Sequence, residues 1–197
     1  MTREDIATGK RELRILSQTM ELRAATADQP AVISGYAAVF YDEADAGTEF
    51  RLWSDCVERL MPGCFDSALA RPDDVRCLFN HDPNEPLGRR VDAKSKTLML
   101  TVDKRGLRYE CVLPASAAKV AEAIERGDVT GCSVSFNTLE QVWREQKNAE
   151  GRMITIREIV DLELFDVGPV TFPAYTSTDV AYAKRSLGEW QDSRPKT

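Results

Sequence analysis

Apolar positions along this chain recur mostly in short runs with the two-residue alternation of strands, separated by polar turns carrying glycine and proline. The run at 31–41 (AVISGYAAVFY) predicts a buried strand, and Gly35 inside it predicts a bulge or bend. Weaker alternation predicts strands within 14–24 and 50–60, with an acidic surface loop at 42–49 between the two stronger runs. A short strand is expected at 75–79, ending at Asn80-His81-Asp82-Pro83. Leu98 to Val102 and Leu107 to Leu113 read as a hairpin whose loop uses Gly106 for a left-handed turn. A strand at 130–136, a hairpin of 139–144 with 153–160, and a strand at 162–167 follow. The segment after them runs extended to Tyr175, held by Pro169 and Pro173.

Helical spacing is confined to a few places. Phe65, Ala68 and Leu69 predict a short helix at 64–70 that stops before Pro72. Ala117, Val120, Ala121 and Ile124 mark one face of a helix from Ser116 to Arg126, with Ser116 as its cap and Gly127 as its stop. The polar tail carries one short helix and is expected to end in disorder. Strands therefore outnumber helices and many are hairpin-linked. The expected class is α+β, mostly an antiparallel β-barrel with a few short surrounding helices. The expected organisation is an N-terminal lead-in over 1–30, partly flexible, a single domain over 31–178, and a tail over 179–197.

Composition narrows the class further. A chain of 197 residues suits one domain that buries about 70% of its unfolded surface, so it needs no staple. The net charge of −6 argues against a nucleic-acid binder. No apolar run reaches the length of a membrane span, and the N-terminus lacks a signal-peptide core, so the expected location is the cytoplasm. The five cysteines form no C-x-x-C pair, which predicts reduced, buried thiols rather than disulfides or zinc. No cofactor or metal site is expected; a single histidine makes a poor metal centre.

That histidine also focuses the candidate chemistry. A serine hydroxyl becomes a nucleophile only beside a base, and an imidazole base in this chain has to be His81. In the strand at 130–136, Cys132, Val134 and Phe136 face one way and Ser133 and Ser135 the other. Ser133 offers a hydroxyl behind the Thr130-Gly131 step. Asp166, Glu163 and Glu158 are the candidates to orient the imidazole. On a regular strand Glu163 and Asp166 point to opposite faces, so only one of them faces His81. Backbone amides near Ser133, or the Arg89-Arg90 loop, are candidate donors to an oxyanion. Taken alone, most such residues serve structure: a strand serine packs, a turn histidine bonds its own loop, a strand carboxylate meets solvent.

Five segments in order change that balance: GYAAVFYDE at 35–43, PGCFDSAL at 62–69, LFNHDPNEPLGR at 78–89, RGDVTGCSVSF at 126–136 and LFDVGPVTFPAY at 164–175. Together they resemble the prohead proteases of tailed bacteriophages, serine peptidases of capsid maturation that share a fold with herpesvirus assemblins. The resemblance covers about residues 31–178. It implies a nucleophile at Ser133, a base at His81 and an acidic partner at Asp166. It also implies cleavage of a scaffold protein, or of a scaffold-like segment of the major capsid protein, and self-cleavage, all inside the assembling prohead in the bacterial host. It leaves open whether the protein works as a homodimer, as assemblins do, and whether it is a catalytically inactive assembly module of the same fold. Two departures stand out: Gly168 occupies a place where serine is common, and Cys132 and Val134 replace the usual Met and Phe.

Overall fold

The computed structural model describes residues 11–17, 20–71, 74–90, 97–148, 150–172 and 177–193. Among these, one sheet contains β1 (Glu12–Ser17), β4 (Phe50–Trp53), β5 (Cys56–Leu60), β6 (Val75–Leu78), β7 (Pro86–Arg90), β10 (Gly131–Lys147) and β11 (Met153–Val170). The other contains β2 (Glu21–Arg23), β3 (Val32–Val39), β8 (Leu98–Val102) and β9 (Gly106–Val112). The helices are α1 (Asp66–Ala70), α2 (Ala118–Glu125) and α3 (Ser177–Ser193). The α+β class holds, with strands predominant.

The barrel does not form among the described residues: the larger sheet runs β1-β10-β11-β5-β4, with β6 and β7 branching from β11, and so keeps open edges. The reason lies in β11. Its first half pairs in parallel with β5 and its later part in parallel with β6, while β10 runs antiparallel along its other side. One long strand with two successive partners makes a forked sheet rather than a ring.

The strands expected at 130–136 and 139–144 are one continuous β10, and those at 153–160 and 162–167 are one continuous β11. The polar residues between them do not break pairing: Asn137 and Thr138 stay in register with Glu163 and Leu162, and the register shifts only at Ser135/Phe136 and on either side of Glu140. The strand expected within 14–24 is two strands in different sheets, β1 against β10 and β2 against β3. Ser116 does not cap its helix. It lies in a tight turn, Ala115–Ala117, that leads into α2 without a side-chain cap.

The main core lies between the sheets, where Ile33, Leu107 and Tyr109 meet Cys132, Val134, Phe136 and Val167. All five cysteines are buried and unbridged. The tail helix α3 is longer than the sequence led one to expect, and Ala183, Leu187 and Trp190 pack it onto Leu52, Cys56 and Trp143. Residues 1–10 of the expected lead-in, Pro173 to Tyr175 of the extended run, and the last residues of the tail lie outside the described residues. No helix among the described residues is long and apolar enough to cross a membrane.

Candidate active site

Three neighbouring elements deliver the site. Ser133 is the third residue of β10, on the face opposite the core-directed Cys132, Val134 and Phe136. His81 ends a single turn, Phe79–His81, that follows β6. This turn is unusual: Asn80 and His81 have φ of 54° and 56°, a left-handed conformation that non-glycine residues adopt at a cost. A clamp holds it there. Asn80 Oδ1 accepts from Thr171 N at 2.8 Å, and Asn80 Nδ2 donates to Thr171 Oγ1 at 3.1 Å. The imidazole is thereby tied to the end of β11.

Asp166 comes from β11 through a bulge. Ser135 pairs with Asp166 and Phe136 with Leu164, so Phe165 is the extra residue. Beyond the bulge Glu163 pairs with Asn137. The extra residue restores the parity that a regular strand would have broken, so Asp166 and Glu163 share a face, contrary to the alternation expected from the sequence. His81 nevertheless bonds Asp166. Glu158 is elsewhere on β11, accepting from Arg144 Nε at 2.7 Å.

The result is a continuous hydrogen-bond chain. Ser133 Oγ lies 2.6 Å from His81 Nε2, and His81 Nδ1 meets Asp166 Oδ1. The other oxygen, Asp166 Oδ2, forms an ion pair with Arg11, whose Nε also donates to Ser135 Oγ. The Arg11 guanidinium stands 5.1 Å over the Phe165 ring. Ser133 and Asp166 are almost completely buried, at 0% and 1% exposure. A carboxylate and a hydroxyl joined through an imidazole is the arrangement that makes a serine nucleophilic.

The family model for caudovirus prohead serine protease matches residues 18–193, nearly the whole chain. The chain belongs to that family. It is therefore a phage capsid-maturation protease of the serine class, associated with prohead components. No curated protein and no solved structure matches the chain significantly.

The electrostatics of this prohead protease follow from burial. Desolvation first, and then the Arg11 charge, hold the His81 imidazole down to about 4. In its neutral form an imidazole so placed carries its proton on Nδ1, because a carboxylate at Asp166 can only accept, and this leaves the Nε2 lone pair for the Ser133 hydroxyl. Ser133 Oγ also lies 3.1 Å from the carbonyl oxygen of Arg14 on β1. A hydroxyl has one proton, so that carbonyl competes with the imidazole for it. Burial pushes the neighbouring Cys132 thiol up to about 11, which leaves it inert beside the serine.

Sequence reasoning missed the N-terminal contribution. Residues 11–17 precede the matched segment, yet Ile15 pairs with Ser133 and Arg11 reaches Asp166. The charged lead-in carries no periodicity that would have marked it. The arginine pair proposed near an oxyanion is engaged away from Ser133. Arg89 lies in β7 and donates to both Asp74 oxygens, at 2.6 and 2.7 Å, and Arg90 donates to the Leu69 carbonyl at 2.7 Å. No cluster of three His, Cys, Asp or Glu side chains suited to a metal ion occurs among the described residues.

A second polar cluster anchors β1 below the site. Glu12, Arg14, Glu58 and Arg157 are fully buried and mutually paired. Arg14 donates to Glu58 Oε2 at 2.6 Å and to Glu12 Oε2 at 2.9 Å, and Thr138 Oγ1 donates to Glu12 Oε1 at 2.6 Å. Burial alone would raise the Glu12 carboxyl, but Arg14 and Arg157 reverse this and hold it below its ordinary range. Two cations and two anions cancel, so each buried charge has its countercharge.

Proposed function

We propose that this chain is an endopeptidase in which Ser133 is the nucleophile, His81 the general base and Asp166 the group that orients it. Ser133 Oγ attacks the scissile carbonyl carbon while its proton passes to His81 Nε2. The imidazolium, stabilised by Asp166, gives that proton to the leaving amine as the peptide bond breaks, leaving an acyl ester on Ser133. Water, deprotonated by His81, then hydrolyses the ester and frees the serine. The observation that carries this reading is the unbroken contact from Ser133 Oγ through His81 to Asp166.

The substrates we propose are the scaffold protein, or a scaffold-like N-terminal segment of the major capsid protein, with self-cleavage of the protease. The setting is the assembling prohead in the bacterial cytoplasm. Family membership supports this assignment. Homodimerisation, on the analogy of assemblins, belongs to the same proposal. The test is co-expression with the capsid and scaffold proteins of the same phage, wild type beside Ser133→Ala, read by intact mass. Shortening of a partner chain by wild type alone supports the reading. Equal shortening by both removes Ser133 as the nucleophile.

One observation favours a second reading, a non-catalytic assembly module of the same fold. Ser133 has no exposed surface and faces the Arg14 carbonyl as well as His81. That reading expects neither protein to shorten its partners and Ser133→Ala to support capsid assembly as wild type does.

A further inference from the structure

A buried carboxylate beside a neutral imidazole lacks a countercharge, and an unpaired buried charge is costly. Asp166 is in that position, at 1% exposure, with one oxygen on His81. The N-terminal segment supplies the cation: Arg11 bonds the second oxygen, and its Nε bonds Ser135, the residue directly across the ladder from Asp166. We infer that Arg11 is a positioning residue of this protease, whose positive charge offsets the charge of the buried Asp166 carboxylate and holds it aimed at His81, so that the carboxylate does not draw a proton onto the imidazole that accepts from Ser133. The catalytic consequence rests on the function proposed above; the Arg11 link does not.

The other charged groups around the imidazole do not take this place. Arg76 pairs with Asp166 along β6 and β11, but its guanidinium closes on Asp74. Glu163 shares the Asp166 face across from Asn137. Asp82, next to His81, accepts from Asn84 within its own turn. The Arg14 guanidinium is buried in the four-charge cluster, and only its carbonyl meets the site. Arg11 is three-quarters or more shielded, with a side-chain exposure of 17%, so water screens its charge only weakly. It lies before residue 18, where the family match begins.

The chain's single histidine makes the test direct. The imidazole carbon-bound protons of the full-length protein are titrated by NMR in wild type, Arg11→Met, Arg11→Gln and Arg11→Lys. Removing the positive charge should raise the His81 midpoint by about one pH unit or more in the Met and Gln proteins. Arg11→Lys keeps the charge and should stay within about half a unit of wild type. The acid limb of the cleavage profile should move up with the midpoint. An unchanged midpoint in a folded Met or Gln protein overturns the inference, even if cleavage falls, because that pattern marks a purely structural role. Two neutral replacements keep the test decisive should one of them misfold. The titration needs no substrate. Loss of the Ser133 assignment would leave the Arg11 result standing, and failure here would leave the nucleophile untouched.

Discussion

Gly168 on β11 lies against the backbone carbonyl of Leu78, the last residue before the His81 turn: a Cβ at Gly168 would stand 2.2 Å from the Leu78 oxygen. Gly168 also lies directly across the ladder from Ser133. The missing side chain lets the histidine turn settle onto the strand beside Ser133. The family-like serine at this position is therefore excluded in this chain unless the turn moves. Gly168→Ser should destabilise the fold by about 1–3 kcal/mol through overpacking. Because a displacement of about 1 Å can cost roughly 100-fold in rate, cleavage should fall by at least about that factor. Denaturant melts and a cleavage assay on the same preparation check both numbers.

Asp166 and Glu163 share one face of β11, yet the two carboxylates should behave differently. Asp166→Asn should lower cleavage by about 10⁴-fold, since the amide cannot hold the imidazole in the required tautomer. Glu163→Gln should leave cleavage within about threefold of wild type, because no His81 contact is lost. Equal losses in both variants would assign the orienting role wrongly.

The low His81 value has two consequences of defined sign. The His81 imidazole is held down to about 4, so with His81 as the base proposed above, cleavage should hold at full rate from pH 7 to near pH 5 instead of falling around 6.5, the value of an unperturbed imidazole. Between about 4 and 6.5 the unfolded chain binds the proton that the folded chain refuses. Stability therefore rises with pH across that window and is fully present above it, by roughly 3 kcal/mol in total. Urea melts at pH 4.5 and pH 7 should show the rise in wild type and a smaller one in His81→Gln.

The four-charge cluster makes β1 a structural strand as well as a neighbour of the site. Glu58→Ala leaves Arg14 and Arg157 sharing one remaining carboxylate, Glu12, in a fully buried place. It should cost about 3–5 kcal/mol. Amide hydrogen exchange should show the loss of protection concentrated in 12–17, since both Glu12 and Arg14 lie on that strand. Uniform loss across both sheets would mean that the cluster does not hold β1 in particular.

Much of this protein was legible in local pattern. The apolar run at 31–41, the hairpin read at 98–102 and 107–113, and the break at Pro72 placed β3, β8, β9 and the end of α1 near their observed positions. The serine, histidine and aspartate now seen in contact stood in segments that resembled one family. Patterns failed where long-range pairing overrode them. Polar residues at 137–138 looked like a break in a strand, but the bulged ladder between β10 and β11 carries the chain through them. Closure into a barrel depends on which strand edges meet, and alternation along a strand does not specify its edge partners.

Local chemistry in the sequence thus determined the class of fold, the identity of the sole imidazole and a short choice of carboxylates, because side-chain type and alternation are properties of neighbouring residues. Only the tertiary structure decided among those carboxylates. The bulge at Phe165 sets which strand face Asp166 occupies, and the Asn80–Thr171 clamp sets where His81 points. Arg11 entered the site in the same way: its contact with Asp166 spans nearly the length of the chain, and a pairing at that separation is selected by burial and sheet register, which no local pattern of residues encodes.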